Sequence, residues 1–264
     1  TMRKIAISIA MVLVPAVSGA YVYQGYMFYV SPFVYSSRVE KVGGTVTGAY
    51  GIWTFNLKSV ELDVHRVDME GTASRYTGTI AYTHGLSAGS YLRGGFNYST
   101  NGNFIAFAGL KSYKAKSWNS SITGYFYRVN GEYLKALYMN YGTYSGSFYM
   151  GLQVNLIYSQ ILYPSFWVTL SYNTPKTITS VFFKMGIERY PVRNEGFFLL
   201  DMKQDEERGL GFGAYFKYAF NRHFAVYLTG MLETYKESIP TALYRRPDQP
   251  GSSVFISLAV GYSP

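Results

Sequence analysis

The sequence predicts an all-β protein, an antiparallel up-and-down transmembrane β-barrel of about 14 strands, with 12 to 16 the range weighed. Three observations carry that prediction. Apolar and polar residues alternate with a period of two over much of the chain. Tyr and Phe number 28 and 18, while charged residues make up only 15% of the 264 positions. The polar faces of the alternating segments are Gly, Ser, Thr, Asn, Gln and Tyr, not the Lys, Glu and Asp that a water-facing sheet carries.

A period of two is a strand signal, because successive side chains point to opposite faces. Between Ser147 and Ser159, Phe148, Met150, Leu152, Val154, Leu156 and Tyr158 oppose Tyr149, Gly151, Gln153, Asn155 and Ile157. The same split runs from Ser165 to Asn173, where Phe166, Val168, Leu170 and Tyr172 share one face. From Gly209 to Phe220, Leu210, Phe212, Ala214, Phe216, Tyr218 and Phe220 oppose Gly209, Gly211, Gly213, Tyr215 and Lys217. Those glycines are expected to leave room in the lumen. Asn221 and Arg222 then read as a tight turn into a strand carrying Phe224, Val226 and Leu228. Asn101, Gly102 and Asn103 read as hairpin chemistry that needs positive φ.

A soluble β-sandwich is the competing fold. It would need a charged solvent face, whereas Tyr82, Tyr98, Tyr158, Tyr172, Tyr218 and Tyr262 fall at or near the ends of apolar runs, where membrane barrels place interfacial aromatic girdles. No segment after Ala20 has the 18 or so continuous apolar residues of a membrane-spanning helix.

Residues 1–20 read as a cleavable signal peptide. Met2, Arg3 and Lys4 precede an apolar run from Ile5 to Val14, about half of what a spanning helix needs, and Ser18 and Ala20 put small side chains at the two cleavage-site positions. Residues 21–264 are then one barrel domain, without a Pro/Gly/Ser-rich linker to divide it. At about 17 residues per strand with its turn, the remaining 244 (264 − 20) give about 14 strands. Fifteen alternating segments can be counted, and an even number keeps both termini on one side. The weakest patterns lie between Val42 and Asp68 and between Arg193 and Gln204, the latter holding the segment near Leu200. Short turns at Asn173–Lys176 and Asn221–Arg222 are expected on the periplasmic side, and the proline-bearing stretch from Glu237 to Ser252 on the outer side.

The last strand, with Val254, Ile256, Leu258, Val260 and Tyr262 on one face, is amphipathic and ends on an aromatic residue. In this it resembles bacterial outer-membrane β-barrel (porin-like) proteins, whose last strand is read by the barrel assembly machinery. The family usually ends on the aromatic itself, whereas Ser263 and Pro264 follow Tyr262 here. The resemblance implies residence in the bacterial outer membrane among its lipids and lipopolysaccharide, and passage of small solutes.

Cysteine is absent, which removes thiolate metal sites and thiol catalysis. The three histidines, His65, His84 and His223, have no metal-ligand spacing, and no cofactor motif is present. Thr83 to Ser87, with His84, and Ser117 to Asn119 resemble fragments of outer-membrane lipid hydrolases, but the spacing reads more simply as polar turn, so no enzyme is expected. Without its leader the chain has 22 basic residues (24 − 2) against 15 acidic ones. With no basic helix or clustered stripe this excess does not point to nucleic acid.

By parity, Arg75, Arg93, Lys184, Lys203 and Lys217, with Glu61, Asp63, Glu188, Asp201 and Glu233, fall on polar faces. A charge facing lipid costs about 2 to 4 kcal/mol at mid-membrane, so these side chains belong in the lumen or at its rims. Lining open water, they would make a pore for small hydrophilic solutes with a modest anion preference. Paired, and packed with Tyr and Phe, they would fill a closed barrel serving adhesion or envelope structure.

Overall fold

The computed structural model describes residues 23–37, 41–199, 206–237 and 249–264. The leader expected over residues 1–20 lies outside them. Among the described residues seventeen strands run in order: β1 (Tyr23–Ser37), β2 (Lys41–Phe55), β3 (Lys58–Met69), β4 (Arg75–Ser87), β5 (Ser90–Ser99), β6 (Phe104–Lys114), β7 (Trp118–Val129), β8 (Glu132–Ser145), β9 (Phe148–Tyr158), β10 (Leu162–Asn173), β11 (Thr177–Gly186), β12 (Glu188–Arg189), β13 (Val192–Arg193), β14 (Phe198–Leu199), β15 (Glu206–Ala219), β16 (Phe224–Glu237) and β17 (Gln249–Tyr262). Fourteen of them, β1–β11 and β15–β17, form the wall of a closed antiparallel barrel.

Each wall strand pairs with its chain neighbour, and β1 closes the sheet on β17, with Tyr26 opposite Tyr262 and Val34 opposite Val254. Closure leaves no open edge, which a sheet in hydrocarbon cannot tolerate. The segment near Leu200 adds no wall strand, because β11 pairs directly with β15, from Thr177 against Tyr218 to Lys184 against Gly211. Leu200 itself lies outside the described residues.

Leu152, Leu170, Phe183, Phe212, Leu228, Ile256 and Leu258 point outward and are exposed, the reverse of a soluble fold. Tyr82, Tyr98, Tyr158, Tyr172 and Tyr262 are exposed on the same surface. β2 inverts the usual pattern: Val42 and Val46 are buried inside while Thr47 and Ala49 face out, which is why alternation there was hard to read.

The Asn221 turn spans residues 220–223, longer than the two-residue link expected. The Asn221 side-chain oxygen accepts from the backbone of His223 and Phe224 at 2.8 and 2.9 Å. Gly102 takes the positive φ, 84°, of the β5–β6 hairpin. This hairpin and the C-terminal ends of β1, β11 and β16 lie at the end opposite Tyr23 and Tyr262, here called the distal end. The 56–57, 88–89, 115–117, 146–147, 174–176 and 220–223 turns share the terminal end.

Candidate functional site: a lumen divided by an inward segment

After β11, β12 continues the ladder on β15 for two residues, Glu188 opposite Arg208 and Arg189 opposite Glu207, and the chain then turns into the barrel. Tyr190, Val192 and Phe197 are buried there against Ile105, Phe107, Tyr127, Leu134 and Ile157, all inward residues of β6–β9. Pro191, which has no amide hydrogen, suits a segment leaving the sheet ladder. The Val192 amide donates to the Tyr138 hydroxyl at 3.0 Å. Across the lumen, Phe33, Val46, Val67 and Tyr235 form a second apolar cluster. Much of the distal lumen is therefore filled by packed side chains rather than by the small polar residues that alternation suggested.

The glycines correct the same expectation. A Cβ on Gly213 would lie 2.2 Å from the Phe182 ring, and one on Gly48 would lie 2.4 Å from the Tyr29 ring. Aromatic rings from neighbouring strands already occupy the space these glycines leave. Gly209 faces outward instead, its Cβ position 3.0 Å from the Thr234 hydroxyl, because the β15–β16 register shifts between Arg208 and Gly211.

Two ionic clusters hold the inward segment. Near the distal end, Lys184 on β11 lies 3.1 Å from Glu188 and 2.7 Å from Glu233, while Arg193 lies 2.6 and 3.2 Å from the same carboxylates. Arg208 meets Glu233 at 3.0 Å and donates to Ser253 at 2.8 Å. Glu188 also accepts from Ser165, Asn155 and the Trp167 indole at 2.5, 2.7 and 3.1 Å. The Arg193 guanidinium lies over the Trp167 ring, 4.7 Å from its centroid. Glu188, fully buried, is thus held by two cations and three neutral donors.

Deeper in the barrel, Arg93 on β5 meets Glu61 on β3 at 2.9 Å and donates to the Glu195 carbonyl at 2.8 Å. Lys111 pairs with the Glu195 carboxylate. Glu195 has a φ of 54°, so a non-glycine residue holds a left-handed turn at the tip of the segment. Phe107 and Phe197 flank the Arg93 guanidinium at 5.0 and 5.1 Å, and Tyr50 donates to Glu61 at 2.9 Å.

Of the charges singled out by parity, Glu61 and Arg93 form one cluster and Lys184, Glu188 and Glu233 belong to the other. Asp63 faces inward but accepts from Tyr29 at 2.9 Å and lies 2.6 Å from His65 Nδ1. Arg75 opens β4 at the distal rim, opposite Val67 on β3. Lys217 lies over the Tyr227 ring at 5.4 Å, near the terminal end. Asp201 and Lys203 lie outside the described residues. His84 is exposed beside Tyr82 on the outer surface.

Arg208, Arg193, Glu195 and Lys111 are charged contributors that alternation missed. The β-bulge turns Arg208 into the lumen, where an unbroken period of two would share the face of Leu210 and Phe212. Pro191 between Tyr190 and Val192 was the available signal that this stretch is not a wall strand.

Two neighbouring cavities lie in the lumen towards the terminal end. One, of about 350 Å³, reaches from the 115–117 turn, with Lys114 and Lys116, to Lys111 and Glu195. The other, of about 280 Å³, lies between the inner face of β7–β10 and the inward segment. They share Ser121, Asn140 and Glu195.

No family model matches the chain, and no curated protein matches its sequence. Solved structures do match its fold. A TodX deltaS2S3 mutant, a monoaromatic hydrocarbon channel, aligns with TM-score 0.57 and 7% identity over 91% of this chain and 90% of that one. A Pseudomonas aeruginosa FadL homologue gives 0.53 and 8% over 92% and 90%. Omp33, an outer membrane protein of Acinetobacter baumannii, gives 0.51 and 12% over 90% and 98%. The chain has the fold of the bacterial outer-membrane β-barrels.

Proposed function

We propose that this barrel passes small hydrophilic solutes across the outer membrane and that its inward segment sets the narrowest part of the route. The observation that carries this reading is the pair of neighbouring cavities, sharing Ser121, Asn140 and Glu195, that lie between the terminal end and the segment. Their walls offer Ser121, Thr123, Asn140 and Gln153, whose hydroxyls and amides replace the hydration of a polar solute. A barrel kept only as envelope structure has no need for a polar chamber at this depth. A leader over residues 1–20 and a terminal end in the periplasm accord with this location.

A modest anion preference is the finer proposal. Among the described residues the distal cluster pairs Lys184, Arg193 and Arg208 with Glu188 and Glu233. The deeper cluster balances Arg93 and Lys111 against Glu61 and Glu195. Lys114 and Lys116 then add positive charge at the terminal mouth. Because most charges are paired, the preference is small.

The filled distal lumen favours a second reading, in which the segment closes the barrel at rest. Single-channel recording from the refolded chain decides between the two: discrete conductance steps support the channel, and a silent bilayer containing folded barrel supports closure.

A further inference from the structure

We infer that the chamber between β7–β10 and the inward segment binds one ring of a neutral, hydroxylated solute of the monosaccharide class. This deepens the proposed function by naming a solute class, and it rests on that reading for access to the chamber from the terminal end.

The lining limits the charge of the ligand. Its two ionised side chains, Arg193 and Glu195, are already answered: Arg193 by Glu188 and Glu233, Glu195 by Lys111 and Arg93. A charged ligand held here would be desolvated without a counter-ion of its own, which is costly.

The same lining disfavours a wholly apolar ligand. Ser121, Thr123, Asn140 and Gln153 project inward from β7, β8 and β9, and each can both donate and accept. Thr123, Asn140 and Gln153 also reach Tyr125, Tyr149 and Asn155, and hydrocarbon over them would strand the donors and acceptors these contacts do not use. Gln153 donates to Asn155 at 2.7 Å, which fixes its amide plane and prepares it to meet a ligand in one orientation.

Shape supplies the third argument. Tyr125 and Tyr138, with ring centroids 4.8 Å apart, form an aromatic wall against which the C–H face of a sugar ring can pack. A volume of about 280 Å³ suits a single ring better than a chain of them, and it lies near the lower end of small-molecule sites, about 300 Å³. Ser121 and Asn140 also line the outer cavity, so a ligand can exchange hydrogen bonds between the two compartments as it moves.

The test is saturation-transfer NMR on the detergent-folded chain with glucose, glucuronate and glucosamine, which share the pyranose ring and differ in charge. We expect saturable glucose binding, with both charged analogues at least tenfold weaker. The double variant Asn140→Leu/Gln153→Leu should weaken glucose at least tenfold while keeping heat-modifiable gel mobility; should it fail to fold, Ser121→Val probes the same wall. No saturable glucose signal, equal binding of glucuronate, or a folded variant that binds like the parent overturns the inference. Binding is read without current. A conducting barrel that binds no sugar therefore removes the chamber and keeps the channel, whereas a silent barrel that binds glucose does the reverse.

Discussion

Arg93 Nη1 donates to the backbone carbonyl of Glu195 at 2.8 Å, tying a wall strand to the tip of the segment that enters the lumen. The same guanidinium pairs with Glu61, so one side chain couples β3, β5 and the inward segment. Replacing Arg93 with Ala should release the tip and leave the Glu61 carboxylate buried without its cation, a loss of about 3 to 5 kcal/mol for a buried pair. The expected result is larger or noisier current and faster proteolytic nicking within residues 187–199. Unchanged current and protection would remove Arg93 as the tether.

The second cluster makes a prediction about charge. Glu188 meets both Lys184 and Arg193, at 3.1 and 2.6 Å, and Glu188→Gln leaves these two cations short of a buried counter-charge. The variant should unfold at a clearly lower temperature in detergent at neutral pH. An unchanged midpoint would remove Glu188 from the anchoring of the segment.

The outer face can be tested residue by residue. Leu170 is exposed to the bilayer side, whereas its chain neighbour Ser171 turns inward and hydrogen-bonds Ser180 at 2.7 Å. Leu170→Arg should harm assembly by about 2 to 4 kcal/mol of lipid-face cost, and Ser171→Arg should cost clearly less. Folding yield into vesicles, read by heat-modifiable mobility, measures the difference. Equal yields would contradict lipid contact at Leu170.

Much of this architecture is legible in the sequence, for a physical reason. Lipid on one side and lumen on the other force a strict period of two, so the outward rows through Leu152, Leu170, Phe212 and Ile256 can be read without coordinates. The total of fourteen followed from strand length and even parity, although the surplus segment could not be recognised by alternation alone. The lumen was less legible. Its contents depend on which strands face one another across the barrel, and no periodicity encodes that Glu61 meets Arg93 or that Phe182 fills the space over Gly213. The inward segment obeys packing rather than a sheet ladder, so its residues carry no period. At Arg208 a single bulge reversed the face on which alternation would have placed it.

Selectivity follows from Lys114 and Lys116, which line the terminal mouth. Reversal potentials across a salt gradient should report a modest anion preference that weakens as salt rises, since screening reaches about 8 Å at physiological ionic strength. Lys114→Gln/Lys116→Gln should reduce it more than neutralising Lys217, which lies over the Tyr227 ring. Cation preference in the parent chain would contradict the assignment.

The most direct test compares single-channel conductance of the refolded chain with that of a variant in which residues 190–197 are replaced by a short Gly-Ser linker. If the inward segment sets the narrowest part of the route, the parent gives small discrete steps and the variant gives steps several-fold larger in a barrel of unchanged mobility. Equal conductance in the two, or silence in both, would contradict the account.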